Sequence, residues 1–352
     1  GLIYLSSKYK INPQIPIELI YLIKNNENNT VDFKLSYQLP ETYFLKDFTI
    51  MKNIEVKKES NNLVIIWKNN LINIVLTLLT IVLASFILLF NNTLTKNRRF
   101  FLYLRVSFLS WTLIWLGWLI GGQLSIIHLV NFLEAIISFS NNFNSFLVEP
   151  VILLIGFFTL ISLFIWGRAL FCGWLCPFGA FQELLSIIAK KLGIKQLFLS
   201  QKIDVRLKYI KYILLFVIIV GTLLELKIIN YFYNVEPFKT AITLRFFAPA
   251  NLIIWATFIL AINLFVERAY CRYLCPLGGG LALMGKVRLV NFLKRRKECG
   301  NPCKACNKVC PTGAILYTGK INMNECLGCL DCQVMFNDFA KCPPLVAMKK
   351  NN

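Results

Sequence analysis

The residues with the clearest chemistry are the 12 cysteines, since a single histidine, His128, leaves thiolates as the main candidate metal ligands. Eight of them form a C-terminal pattern of two trios, each followed by a Cys-Pro pair. A cubane cluster needs four thiolates from different directions, and gaps of two residues let one short loop supply three of them. The spacing therefore predicts two [4Fe-4S] clusters in the tail.

The fourth thiolate of each cluster has to come from elsewhere, and in two-cluster ferredoxins it comes from the Cys-Pro of the other motif. The predicted ligand sets are Cys299, Cys303, Cys306 and Cys342 for cluster 1, and Cys326, Cys329, Cys332 and Cys310 for cluster 2. Structural zinc is the alternative, but a tetrahedral zinc site does not require a trio plus a distant Cys-Pro. The extra residue before Cys303 and the long gap before Cys342 depart from the usual ferredoxin spacing.

The other four cysteines belong to an internal repeat with the pattern C-x-x-x-C-P. Arg168-Ala-Leu-Phe-Cys172-Gly-Trp-Leu-Cys176-Pro recurs as Arg268-Ala-Tyr-Cys271-Arg-Tyr-Leu-Cys275-Pro, with one residue fewer before the first cysteine. These pairs are candidates for a redox-active dithiol, for ligands of a further metal centre shared by the repeats, or for small packing residues at a tight turn. Our hypothesis is one shared redox site at the cytoplasmic membrane face, with its thiolates stabilised by Arg168, Arg268 and Arg272.

The elements that must position these cysteines are membrane helices. Hydrophobic residues make up 57% of the 352 residues and charged residues only 16%, which is outside the range of ordinary soluble domains. Five apolar runs approach the ~20 residues that cross a bilayer, namely 71–90, 102–121, 147–166, 212–229 and 251–266. We expect about five transmembrane α-helices, in which a two-helix hairpin plus one C-x-x-x-C-P loop is used twice in the same orientation.

The net charge of +20 indicates an orientation in the membrane rather than nucleic-acid binding. Lys and Arg cluster between the first and second runs and between the third and fourth, whereas none lies between the second and third. The positive-inside rule then places the N-terminus outside and the tail in the cytoplasm. The predicted domains are an extracytoplasmic β-rich module at 1–70, a transmembrane region at 71–290 and a cytoplasmic ferredoxin-like α+β domain at 291–352.

Apolar and polar residues alternate from Val31 to Leu39, which predicts a strand, and the apolar run from Leu63 to Trp67 is interpreted as another strand. The stretch after Pro177 has one apolar face and two following lysines, which predicts a helix lying at the cytoplasmic interface. That face contains Phe181, Leu184, Leu185 and Ile188.

Because the sequence opens on a glycine without an export signal, we expect a segment upstream.

Trp111, Trp115 and Trp118 fall on one helical face, where a quinone could stack, although helix packing and lipid contact are the commoner roles. A single histidine excludes a bis-His haem within this sequence, and His128 itself is more often a surface or interface residue than a ligand.

The cysteine motifs resemble those of the NosR family of membrane polyferredoxins, a group that also includes NapH-type proteins. The resemblance rests on Phe171-Cys172-Gly-Trp-Leu-Cys176-Pro, on Cys271-Arg-Tyr-Leu-Cys275-Pro, and on Glu325-Cys326-Leu-Gly-Cys329-Leu-Asp-Cys332 with a delayed Lys341-Cys342-Pro. Under this resemblance the long gap between Cys332 and Cys342 is a family trait.

The resemblance implies a protein of the cytoplasmic (inner) membrane that passes electrons toward periplasmic nitrous oxide reductase or toward its maturation factors. It also implies an FMN-bearing extracytoplasmic domain, and since 1–70 has no such attachment motif, any FMN domain would lie upstream. The immediate donor would be a quinone or a cytoplasmic electron donor. The alternatives are a redox-sensing regulatory or assembly factor and a NapH-like quinol dehydrogenase component.

We predict that anaerobically purified protein contains about eight iron atoms and eight acid-labile sulfides attributable to the tail, because two cubanes account for its eight cysteines. Replacing Cys329 by Ser should remove about half of the tail's iron-sulfur signal, and Cys172→Ser should leave it intact. Iron and sulfide assays with visible absorption spectra check this. Zinc in place of iron would contradict it.

Overall fold

The computed structural model describes residues 17–24, 30–37, 63–128, 149–197, 199–224, 235–300 and 303–351. The chain divides into two compact units, Gly1–Ile66 and Trp67–Asn352. The first unit contains an antiparallel hairpin of β1, Ile17–Lys24, and β2, Thr30–Tyr37, in a register that runs from Ile17 opposite Tyr37 to Lys24 opposite Thr30. β2 falls on the alternating stretch that predicted a strand, and the rest of the predicted β-rich module lies outside the described residues.

Residues 63–69 are helical, so the strand predicted for Leu63–Trp67 is wrong. A short apolar run carries no periodicity that separates a buried strand from the first turns of a helix. Here the run leads directly toward the first long apolar helix.

The second unit is helical. Its helices are α1 Leu71–Leu89, α2 Asn91–Leu94, α3 Arg98–Trp111, α4 Pro150–Ile165, α5 Pro177–Lys191, α6 Gln201–Leu223, α7 Ala250–Ile262, α8 Ala269–Tyr273, α9 Pro276–Met284, α10 Ala305–Val309, α11 Asp331–Asn337 and α12 Pro343–Asn351. Three π-helical segments, Thr112–Leu119, Phe171–Leu175 and Lys239–Thr243, and a 3₁₀ turn, Gly285–Val287, complete it.

Two of the described helices are long and apolar enough to cross a bilayer, Leu71–Leu89 and Arg98–Leu119, the latter being α3 with its π-helical continuation. On α1 the side chains of Ile72, Leu79 and Val82 are more than 60% exposed, which suits contact with lipid. Both observations are consistent with a membrane protein. α4 and α7 are apolar but shorter, so the expectation of five crossings remains a prediction.

The fourth apolar run, predicted from residue 212, belongs to a helix that begins at Gln201. Its early turns carry Asp204, Lys208 and Lys211, which are all buried in ion pairs. Hydropathy cannot identify these turns because their charged side chains face protein partners rather than water.

α5 also differs from its expected role as an interfacial helix. Its buried side chains include the polar Gln182, Glu183 and Ser186, whereas Ile188 is 51% exposed. The helix therefore turns its polar face into the protein, which is the arrangement expected where the surroundings are apolar.

The three tryptophans of the second run serve helix packing. The rings of Trp111 and Trp115 stack at 5.1 Å, and the Trp111 indole donates to Thr80 of α1. The Trp118 indole donates to the Ala241 carbonyl. Because the helix widens into a π-helix at Thr112, the three rings do not form one continuous stripe.

We predict five crossings, with the N-terminus outside and the C-terminus in the cytoplasm, because the basic turn around Arg98 and Arg99 favours the cytoplasmic side. Reporter fusions or accessibility tags placed near Asn61 and Lys349 should report opposite faces of the membrane. Tags on the same face would contradict this topology.

Candidate iron-sulfur sites

The tail folds so that the predicted ligand sets come together. Cys306 lies within electrostatic range of the other three cluster 1 cysteines. Cys332 interacts in the same way with Cys326 and Cys310, and Cys329 interacts with Cys310. All 12 cysteines are free thiols. The fold therefore brings the predicted ligands of each set near one another, and Cys306 and Cys332 of the two sets are also neighbours, so the crossed pairing of the fourth ligands stays a prediction.

Backbone and guanidinium N–H groups point at several of these sulfurs, as expected around metal-bound thiolates. The Ala314 amide donates to Cys310 Sγ at 3.3 Å, and the Gly328 amide donates to Cys326 Sγ at 3.4 Å. Arg296 Nη1 donates to Cys342 Sγ at 3.1 Å. This donor set fits an anionic cluster.

Among the described residues no three His, Cys, Asp or Glu side chains converge tightly enough to hold one metal ion.

The four C-x-x-x-C-P cysteines also meet. Cys172, Cys176, Cys271 and Cys275 line one small cavity together with Gln123, Phe238, Tyr270 and Leu327. In each motif the second cysteine precedes the proline that begins a helix, and its sulfur accepts from the amide three residues later. These hydrogen bonds measure 3.4 Å for Cys176 and 3.2 Å for Cys275.

The extra residue of the first motif is accommodated by a π-helix. Phe171–Leu175 is π-helical, whereas the corresponding part of the second motif belongs to the α-helix α8. A π-turn takes up an inserted residue without shifting what precedes and follows it, and such turns are frequent at functional sites. The cysteines of both motifs can therefore line the same cavity despite the different lengths.

A reciprocal exchange of arginines joins the two motifs. Arg168 Nη1 of the first motif donates to the Gly278 carbonyl of the second at 3.2 Å, and Arg268 Nη1 of the second donates to the Cys172 carbonyl at 2.7 Å. Both side chains are almost fully buried. Arg268 also adopts a left-handed backbone conformation, with φ of 53°, which is costly for a residue with a side chain.

The three arginines predicted to stabilise thiolates have other partners. Arg168 donates to the Gly278 carbonyl and to Glu325, and Arg268 donates to the Cys172 carbonyl and to Glu183. Arg272 contacts Asp204 and the Pro311 carbonyl. Metal binding would deprotonate the four thiols.

The four-cysteine cavity lies away from the first turn of α3, which carries the basic residues Arg98 and Arg99. Gly117, near the far end of this helical segment, sits so close to Pro177 that an added Cβ would lie 2.8 Å from the proline ring. Gln123 Nε2, beyond that end, is 3.6 Å from Cys176 Sγ. With a rise of 1.5 Å per residue, Gly117 is roughly 28 Å along the helix from Arg98. The motifs therefore insert deeply between the helices rather than resting at one face.

Two glutamines that the sequence analysis did not single out contact the sulfurs. Gln182 Nε2 donates to Cys271 Sγ at 3.0 Å, and Gln123 reaches Cys176. The sequence signal that could have identified Gln123 and Gln182 is that each is a polar residue among apolar neighbours. His128 is not such a ligand: its Nδ1 accepts from the Ser125 amide.

Three buried carboxylates connect the helices, the motifs and the tail. Glu183 of α5 pairs with Arg105 of α3 and with Arg268. Glu325, beside Cys326, accepts from Arg168, Lys211 and Tyr212. Asp204 of α6 pairs with Lys208 and Arg272 and accepts from Tyr273. Each carboxylate thus has two cationic partners, which compensates its burial.

Comparison with known proteins matches the same regions. A family described as NosR matches residues 297–352, and a family described as 4Fe-4S binding domain matches twice, at 148–195 and 247–298. The two matches of the second family each contain one C-x-x-x-C-P motif, which supports the internal repeat. No solved structure matches the chain.

Relatives extend the likeness along the chain. The chain is 39% identical over 349 residues to "Regulatory protein NosR" of Stutzerimonas stutzeri, covering 97% of the chain and 48% of that protein. It is 36% identical over 339 residues to "Protein NirI" of Paracoccus denitrificans, covering 95% of the chain and 48% of that protein. A "Regulatory protein NosR" of Pseudomonas aeruginosa is 56% identical over 80 residues, which are 80% of that protein and 23% of the chain. The chain spans about half the length of the first two.

We predict that Glu183→Gln is strongly destabilising, because it leaves the guanidinium groups of Arg105 and Arg268 buried without a counter-charge. The expected loss is roughly 3–5 kcal/mol, read as a lower unfolding midpoint in detergent. Lys190→Ala on the same helix is the matched control, since Lys190 pairs with Glu267 but is 47% exposed and should cost less than about 1 kcal/mol. Equal losses in the two variants would contradict the prediction.

The interaction of Glu183 with Arg105 and Arg268 also predicts that stability depends on pH. Burial alone would raise the pKa of Glu183, but Arg105 and Arg268 lower it from 4.5 to about 2. A carboxylate with a lowered pKa in the folded state stabilises the fold above its unfolded pKa, and this contribution is lost as pH falls toward the folded value. The unfolding midpoint of the wild type should therefore fall as pH drops from about 5 toward 2, and the Glu183→Gln variant should show a shallower decline.

Proposed function

The chain belongs to the NosR family, and we propose that it is a membrane-bound iron-sulfur electron-transfer protein that supports nitrous oxide respiration by delivering electrons to periplasmic nitrous oxide reductase or to its maturation. One observation carries the proposal. The four cysteines of the repeated motifs line a single cavity between the membrane helices, and the tail contacts this cavity through Leu327.

In this proposal the tail holds two [4Fe-4S] clusters on the cluster 1 and cluster 2 ligand sets, and each cluster supplies reversible one-electron chemistry. The chain's own residues provide the thiolates, the N–H donors to sulfur and the positive charges that offset an anionic cluster. Arg296 and Arg168 are the cations placed beside Cys342 and Glu325, respectively.

The four-cysteine cavity is proposed as one redox site shared by the two repeats. Metal coordination is favoured over a free dithiol, because four cysteines from both motifs, rather than one pair, line the same cavity. The match of the 4Fe-4S binding family to both repeats supports the same choice. Packing alone would not explain why sulfurs from two motifs share a cavity with the polar Gln123 and with the buried Arg168.

Distance also supports a site at this depth. The hydrocarbon core is ~30 Å thick, too far for one electron-transfer step from a cytoplasmic tail to a periplasmic acceptor. A site that reaches Gln123, beyond the far end of the Arg98–Leu119 helical segment, shortens the remaining distance to a periplasmic acceptor. A quinone in the membrane or an FMN on an extracytoplasmic domain would complete the path, and these partners belong to the proposal.

A regulatory or assembly role is the second candidate, favoured by the words "Regulatory protein" in the names of two relatives. A NapH-like quinol dehydrogenase component is the third. The two leading roles differ in what the cysteines do. A regulator changes how much reductase is made, whereas a conductor changes how fast reductase receives electrons.

We predict that Cys176→Ser and Cys275→Ser, singly and together, each abolish electron delivery while the tail's iron-sulfur signal survives, because one site needs both motifs. The assay uses the full-length protein in vesicles with the tail outside, dithionite as donor and nitrous oxide reductase inside. Ser162→Ala is the control, since Ser162 is buried in α4 and donates only to the Thr159 carbonyl of its own helix. Full delivery by both single variants and the double variant would refute the shared site.

A further inference from the structure

We propose that the cluster 2 ligand set is the junction between the tail and the four-cysteine cavity, and that Gly173 and Trp174 are the residues that position it. The cluster 1 ligand set is then the outer site, which exchanges electrons with the cytoplasmic side. The inference rests on the proposed function, because it takes the tail as the holder of both clusters. With a cluster on the cluster 2 ligand set and a redox-active metal centre on the four cysteines, one electron would pass from the first centre, which is oxidised, to the second, which is reduced, and no bond would be made or broken.

The tail meets the first membrane motif through a close backbone contact. A Cβ added to Gly173 would lie 1.9 Å from the Leu327 carbonyl oxygen, so no side chain fits at this position. Gly173 directly follows Cys172, and Leu327 lies between Cys326 and Cys329. The loop of the cluster 2 ligand set and the first motif therefore touch within one or two residues of their cysteines.

The neighbouring residues hold this contact in place. Trp174 Nε1 donates to the Gly328 carbonyl at 3.0 Å, and its ring is fully buried between Arg105 and Phe108. Gly328 has a φ of 61°, and a Cβ there would lie 2.8 Å from Ala169. Both partners in the contact are thus fixed by packing and by a hydrogen bond.

The second motif contacts the other segment of the same ligand set. Arg272 has the position in its motif that Gly173 has in the first, one residue after the first cysteine. Its Nη1 donates to the carbonyl of Pro311, which follows Cys310, at 2.9 Å. The two repeats therefore hold the two chain segments that supply the ligands of cluster 2.

The cluster 1 ligand set has different neighbours. Within the described part of the chain, the three hydrogen bonds from the motifs to the tail end at Pro311, Glu325 and Gly328, all beside cluster 2 cysteines. Cys342 instead accepts from Arg296, and the cavity near Cys299 and Cys303 is lined by other tail residues. This arrangement gives the two clusters unequal roles.

The test uses two variants. Trp174→Phe keeps an aromatic ring and removes the indole N–H that donates to the Gly328 carbonyl, and Gly173→Ala inserts a Cβ against the Leu327 carbonyl. Trp255→Phe is the matched control, because its indole donates to the Val235 carbonyl far along the chain from the tail contact. Gly156→Ala is the control for Gly173→Ala, since a Cβ at Gly156 would meet only an ordinary van der Waals contact at 3.6 Å.

Cys303→Ser and Cys329→Ser identify the EPR signals of clusters 1 and 2.

We expect Trp174→Phe to retain both clusters and to shift the midpoint potential of the cluster 2 signal alone, because hydrogen bonds near the ligating sulfurs tune potential. In the vesicle assay both variants should lose most electron delivery, and both controls should retain it. Equal shifts of both EPR signals, no shift at all, or full delivery by Trp174→Phe would overturn the junction. Loss of cluster 2 iron from this variant would also overturn it, since the contact would then be structural.

Cys329→Ser separates this inference from the proposed function. If that variant abolishes delivery while Trp174→Phe and Gly173→Ala do not, the junction is wrong and electron transfer through the tail stands. If Cys329→Ser itself leaves delivery unchanged, the proposed function fails.

Discussion

The arrangement of this protein depends on buried arginines that cross between the two repeats. Arg168 reaches the backbone of the second motif, and Arg268 reaches that of the first. A buried guanidinium is costly unless its charge is compensated and its donors are used. Each arginine therefore needs the other motif and a carboxylate at once, Glu325 for Arg168 and Glu183 for Arg268. Neither motif supplies, to its own arginine, the carbonyl acceptor and the carboxylate that it needs.

These requirements connect parts of the protein that are distant in sequence. Glu325 belongs to the tail but is held by Arg168 and by Lys211 of α6. Glu183 belongs to α5 and is held in part by Arg105 of α3. Because removing one member leaves a buried charge behind, the tail, the motifs and the helices are energetically coupled. The cysteine cavity is therefore held by structure around it rather than by the short loops that carry it.

Much of this could be predicted from the sequence, because cysteine spacing and apolar runs are local signals. The ligand trios, the repeat and the positions of the main helices come from such signals. The start of α6 could not be predicted, since its buried Lys208 and Lys211 look like a solvent-exposed stretch until their partners are known. The polar inward face of α5 was missed for the same reason: Glu183 depends on Arg105 and Arg268, which lie 78 and 85 residues away. How far the motifs insert between the helices depends on the packing of Pro177 against Gly117, and no local sequence pattern predicts this contact.

The single extra residue of the first motif also has a consequence for symmetry. Two identical repeats would offer the tail two equivalent docking sites, and the tail would have no preference between them. The π-helix at Phe171–Leu175 and the α-helix α8 make the halves inequivalent, with a glycine in one and Arg272 in the other at the point of contact. Leu327 fits only against the glycine, because any side chain there would collide with its carbonyl. The different residue after the first cysteine of each motif, together with the different helix type, thus gives the tail one docking orientation on a duplicated fold.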